Sequence, residues 1–188
     1  MPCPSRASLL DEYSSELSQL QAGLPERFRP TLANLISMLP SLLEANWPLV
    51  PNHTDLLENN IHVDPSNGAL MGICDWRDAV ISPFGMSLGG LETMLGVPKM
   101  KVAWLYHANQ QSLRTHFWDV FYKIMGDISE KQKERIEVAR LVGLFLANGF
   151  GFDDNGNKVA AEDGCLDLLF LDAVVLSTDN AGGPSGST

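Results

Sequence analysis

The run IHVDPSNGALMGI, residues 61–73, constrains this chain more than any other stretch. Pro65 fixes its own φ and Asn67-Gly68 tolerates positive φ, so the apolar runs on either side are expected to reverse and pair as a hairpin. Reversal has a chemical consequence. His53, Asp55 and Asn60 form H-x-D-x-x-x-x-N ahead of the first strand, and Asp75 follows the second. Asn60 at the entrance and Asp75 beyond the exit are thereby expected on one side of the hairpin, as a neutral amide and a carboxylate able to share a metal.

Phosphoryl transfer needs a carboxylate to accept or orient the attacking hydroxyl, and hard oxygen ligands to hold magnesium against nucleotide phosphates. This stretch contains both. Other polar residues nearby read as surface or turn groups: Glu58, Asp64 and Asp78 as solvated carboxylates, and His62 as an outward residue between Ile61 and Val63. The run Asp153, Asp154, Asn155, Gly156, Asn157 superficially matches a calcium loop but lacks its full ligand spacing, so a hairpin turn is expected.

Helical patterning surrounds the hairpin. Leu9, Leu10, Tyr13, Leu17 and Leu20 place a helix over residues 8–22, ending near Gly23 and Pro25. Leu32, Leu35, Ile36, Leu39, Leu42 and Leu43 repeat the pattern over 31–45, with Pro40 expected to kink or split it. A short helix is expected over 86–95, longer ones over 109–125 and 130–148, the latter opened by a Ser129/Gln132 capping box, and a last one near 165–176. Trp104, Phe117, Trp118, Phe121 and Tyr122 read as core aromatics. His107 and His116 have no matched ligand partner. The tail 177–188, STDNAGGPSGST, is too polar to order itself. No internal repeat is visible, and the 61–73 hairpin is the only clear one.

Charge and cysteine usage exclude several classes. With 13 Lys+Arg against 23 Asp+Glu the formal charge is -10 and no basic cluster offsets it, which argues against nucleic acid and anionic membrane partners. No run approaches the length of a membrane span, and the N-terminus lacks the apolar core of a secretory signal, so a soluble cytoplasmic protein is expected. Cys3, Cys74 and Cys165 show no ligand or disulfide spacing and read as reduced thiols.

The motif extends beyond spacing. HTDLLENNIHVDPSNGALMGICDWRDAVISPFGMSLGGLETMLG resembles the aminoglycoside phosphotransferase and choline kinase-like family, in particular fungal members with unassigned substrates. The shared pattern runs from H-x-D through N, I-x-V-D and G-I-x-D-W to P-F-G. Resemblance reaches upstream to LPERFRPTL and downstream to FWDVFYKIMGDIS and ARLVGLFLANGF. It implies a mainly α lobe with a small β-hairpin, an α+β arrangement equivalent to the C-terminal lobe of a protein kinase-like fold, over residues 8–176.

The resemblance also implies roles. Asp55 would be the catalytic base or hydroxyl-orienting group, Asn60 a magnesium ligand and Asp75 the principal magnesium ligand bridging the phosphates of ATP. His53 would brace the loop and Trp76 would pack beside Asp75. Thr54 stands where the family usually has glycine, which would matter if the position needed positive φ. No glycine-rich phosphate loop, strand lysine or partner glutamate is read in residues 1–188, so the N-terminal nucleotide lobe is expected to be absent and the isolated chain inactive. The acceptor hydroxyl compound is not readable. A non-catalytic truncated pseudokinase, acting as a binding or regulatory module, is the alternative. Apolar surface left by the missing lobe predicts self-association or a partner that supplies it.

Overall fold

Leucine spacing builds the base of the molecule. In the computed structural model, which describes residues 3–99 and 103–176, α1 (Arg6–Gly23) buries Leu9, Tyr13, Leu17 and Leu20 along one face and begins where the Ser5 hydroxyl accepts the Ser8 amide at 3.0 Å. α2 (Arg29–Leu42) buries Leu32, Leu35, Leu39 and Leu42 against it. Pro40 does not split α2: it stands inside the last turn of a continuous helix, so the i to i−4 bond it cannot make is lost only near the helix end, and the Leu43 amide closes the helix on the Pro40 carbonyl at 3.1 Å.

Four further helices follow: α3 (Gly90–Thr93), α4 (Gln110–Met125), α5 (Glu130–Asn148) and α6 (Leu166–Leu171), which runs into a π turn over Asp172–Leu176. α5 opens with the expected capping box, the Ser129 and Gln132 side chains each accepting the other's backbone amide. Ile136, Ala139, Val142 and Phe145 of α5 fill the core between α1 and α2, with Phe28 edge-on to Phe145 at 5.8 Å. Leu168, Leu171, Val174 and Val175 close it from the other side. The aromatics of α4 sit at its margin: no residue of that helix is fully buried, and Trp118, Phe121 and Tyr122 pack half-buried against the core.

The strand content exceeds the single hairpin expected. Among the described residues there are four antiparallel pairs: β1 (Leu49–Asn52) with β4 (Val80–Pro83), β2 (Ile61–Val63) with β3 (Leu70–Ile73), β5 (Gly96–Lys99) with β6 (Ala103–Tyr106), and β7 (Phe150–Phe152) with β8 (Lys158–Ala160). Strands of three or four residues carry too little alternation to be read, and Pro51 and Pro98 stand inside two of them. Each pair is two-stranded, so every strand is an edge and tolerates proline. The architecture is therefore helices combined with small antiparallel strand pairs rather than helices with one hairpin. The 153–157 run forms the turn between β7 and β8, where Asp153 accepts the amides of Asn155 and Asn157. The tail 177–188 lies outside the described residues. Among them no helix is long and apolar enough to cross a membrane.

Candidate active site

The β2–β3 hairpin forms where the turn chemistry requires, with Asp64 accepting the Ser66 amide at 2.8 Å and Gly68 at φ 74°. Hydrogen bonds from the Ser66 hydroxyl and amide hold the Asp64 carboxyl below its ordinary value, as suits an exposed turn residue. Ile61 pairs with Ile73, and the Cys74 amide donates to the Asn60 carbonyl at 2.9 Å. The hairpin thus sets Asn60 beside the residue preceding Asp75.

One side chain closes the loop before the hairpin on itself, and a second ties that loop to the strand end after the hairpin. The buried Asn60 amide donates to the Asp55 carbonyl at 2.8 Å and to its carboxylate at 3.2 Å. His53, also buried, receives the Asp55 amide on Nδ1 at 3.1 Å and has Nε2 2.8 Å from the Cys74 carbonyl. Since Nδ1 accepts, Nε2 must carry the proton and donate to Cys74, so the bridging tautomer is set by its partners. The Trp76 ring meets His53 edge-on at 4.9 Å, while its indole N–H donates to the Ile73 carbonyl at 2.9 Å.

Asp75 itself has φ 59° and ψ 50°, the only non-glycine residue at positive φ among those described. Aspartate tolerates this left-handed region better than most residues, and such outliers persist where the surroundings impose them. Thr54 has no such requirement, so the departure from glycine there costs no backbone strain. Its hydroxyl donates to the Asp78 carbonyl at 3.2 Å.

One buried polar tie escaped the sequence reading. Asn52, at the end of β1, donates through Nδ2 to the Ser82 hydroxyl at 2.7 Å and accepts the Ser87 amide at 3.1 Å on Oδ1. It holds β1, β4 and the segment after P-F-G together immediately before His53. In the sequence Asn52 merely opens the polar stretch Asn52-His53-Thr54-Asp55, and nothing local sets it apart. Close packing completes the support: Gly85, at φ 107°, lies where a Cβ would stand 2.9 Å from that of Ala139 in α5, and a Cβ on Gly90 would fall 2.3 Å from the Leu56 carbonyl. Within α3, buried Glu92 pairs with Arg114 at 2.7 Å and lies 3.9 Å from Arg140, anchoring this segment to α4 and α5.

Asp55 is exposed at the edge of a cleft of about 970 Å³ that passes between α1, the 52–58 loop, β5 and α6. Asp75 and Trp76 are exposed beside the loop, Trp76 at 46%. The arrangement offers an accessible carboxylate beside a sizeable cavity, held by the Asn60 amide, and a second carboxylate on a constrained turn. Among the described residues no three His, Cys, Asp or Glu side chains converge on one point.

Residues 4–99, about half of the chain, match the phosphotransferase enzyme family, APH. The chain belongs to that family. The match contains the 53–60 loop, the hairpin, Asp75 and the P-F-G segment. No curated protein and no solved structure matches the chain.

Proposed function

We propose that this member of the phosphotransferase family corresponds to the C-terminal lobe of a kinase-like fold, of the fungal type, and takes part in ATP- and magnesium-dependent transfer of a γ-phosphoryl group to the hydroxyl of a small molecule. The observation carrying this reading is the double tie that joins Asp55 through Asn60 and His53 to the strand end bearing Asp75. Asp55, reachable from the cleft, accepts or orients the acceptor hydroxyl. Donation from Asn60 keeps that carboxylate oriented and leaves Asn60 Oδ1 free of strong donors, with only the Cys74 thiol at 3.8 Å.

Asn60 Oδ1 and the Asp75 carboxylate are hard oxygen donors of the kind magnesium takes. They would suit a metal that draws the rest of its shell from phosphate and water. When bound, magnesium neutralises charge on the nucleotide phosphates. His53 positions and does not transfer protons in this reading, because both ring nitrogens are engaged by backbone groups.

Positioning supplies almost all catalysis in phosphoryl transfer, so turnover depends on a nucleotide lobe with a phosphate-covering loop and lysine, joined in cis or acting in trans. Exposed Val63, Leu70 and Met71 on the hairpin support coverage by such a lobe. The test follows labelled γ-phosphate from ATP to a panel of hydroxyl compounds. Residues 1–188 alone are expected at background, with turnover recovered when the lobe is supplied and lowered by about 10²–10⁴-fold in Asp55→Asn. Recovered turnover that survives Asp55→Asn refutes the role of Asp55. Persistent inactivity with the lobe present would favour a non-catalytic binding module.

A further inference from the structure

The cleft beside Asp55 has walls of uneven chemistry. Away from the carboxylate it is bounded by Leu57, Val97, Pro98, Trp104, Leu166 and Phe170, none of which offers a charged group. Trp104 and Phe170 meet edge-on at 4.7 Å on this wall. The one side-chain donor on that wall, the Trp104 indole N–H, has no partner among the described residues but is buried from solvent, so a polyol would surrender more water than the wall replaces, whereas methylene or ring groups gain by leaving water.

Charge is uneven too. Glu12, Glu16, Glu58 and Asp167 line the cleft together with Asp55. Among the described residues Lys158 is its sole lining cation, and its ammonium is taken by Glu16. An anion entering this space meets like charges, with no free counter-charge among the described residues.

We infer that the acceptor bound in this cleft is an apolar-bodied alcohol without negative charge. The inference rests on the phosphotransfer reading for placing the reacting hydroxyl at Asp55. The body of the molecule lies along Trp104 and Phe170, and Val97 guards the way in. Val97 is 49% exposed, so it can be replaced with little effect on the core.

The experiment measures binding by ligand-observed NMR titration of the full chain, without nucleotide or metal, using three probes. 1-Octanol carries the apolar body, 8-hydroxyoctanoate adds a carboxylate to it, and glucose supplies hydroxyls without it. 1-Octanol is expected to bind at least tenfold more tightly than either of the others. Val97→Asp should weaken it tenfold or more, while Leu70→Asp, on the hairpin outside the cleft, should leave it within twofold. Circular dichroism confirms that both variants fold, and Val97→Lys replaces Val97→Asp if that variant does not. Glucose binding at or above octanol, equal affinity for 8-hydroxyoctanoate, absence of octanol binding, or equal losses in the two variants would each overturn the inference. Because no ATP is present, octanol binding with this pattern stands even if phosphoryl transfer is never observed. Loss of the pattern leaves the role of Asp55 to the transfer assay.

Discussion

The helical base and the 52–83 segment are built on different physical terms. In the base, α1, α2 and α5 bury leucines to complete exclusion of water and meet through an aromatic pair, so its order comes from apolar packing. The site segment buries little apolar surface: Val63, Leu70, Met71 and Val80 are exposed, and its fixed points are Asn52, His53 and Asn60, all buried and hydrogen-bonded. Packing tolerates compensating changes of shape, whereas a polar tie is lost whole when one partner goes. A chain arranged this way can keep its body while its candidate chemistry is switched off by one side chain.

The contrast breaks first at its strongest point. Phe145→Ala removes a fully buried ring from the centre of the base and should cost about 3–5 kcal/mol in chemical denaturation. Met71→Ala, at a residue 71% exposed, should stay within about 0.5 kcal/mol. Similar losses in the two variants would mean that the hairpin is part of the cooperative core.

Next comes the histidine bridge. His53→Ala leaves the Asp55 amide and the Cys74 carbonyl without their partner and should cost about 1–3 kcal/mol. Hydrogen exchange locates the damage: the Asp55 amide should lose protection while amides in the middle of α5 change only with global stability. Unchanged protection at Asp55 would remove His53 from its positioning role.

These regions were unequally legible in the sequence. α5 was read to its observed ends because its signals are local: a capping box at Ser129 and apolar residues at helical spacing. The hairpin over 61–73 was legible for the same reason, its turn residues being adjacent. The β5–β6 pair was not, because Gly96–Lys99 is four residues with a proline and its partner shows no alternation. The Asn52 tie joins residues 30 and 35 positions apart, and no local period reports on a contact of that kind. Asp55, Asn60 and Asp75 stood out as candidates through spacing and resemblance, while the left-handed backbone at Asp75 and the His53 tautomer needed the folded geometry.

A smaller effect separates the two regions by pH. Burial, with Glu12 next, pushes the Tyr13 phenol up to about 12, and burial with Glu92 does the same to Tyr106. Both bind their proton more tightly folded than unfolded. Their contribution is whole below the ordinary tyrosine value of about 10 and is lost as pH rises towards 12, by up to about 2 kcal/mol each, less for the more exposed Tyr106. Tyr13→Phe and Tyr106→Phe should each flatten the alkaline limb of stability against pH. An unchanged limb in both variants would assign alkaline unfolding to other groups.

The smallest expected change in stability tests the site most directly. Asp75 holds φ 59° although a side chain is disfavoured there, and among the described residues its carboxylate has no hydrogen bond to offset that strain, only the neighbouring charge of Arg77. Glycine adopts the same backbone without the steric penalty, though it loses more conformational entropy on folding, so Asp75→Gly should stabilise the chain by about 0.5–1 kcal/mol. If Asp75 is the principal metal ligand, the same change should abolish whatever Mn²⁺ affinity the chain shows in calorimetric titration. Asp64→Ala supplies the opposite combination: it removes hydrogen bonds in the hairpin turn, lowering stability slightly, and should leave Mn²⁺ binding nearly unchanged. A variant that gains stability while losing metal would show strain retained at a position where the carboxylate serves a ligand. Equal Mn²⁺ losses at residues 64 and 75 would sink the assignment, and a less stable Asp75→Gly chain would show that the carboxylate stabilises the turn by contacts of its own.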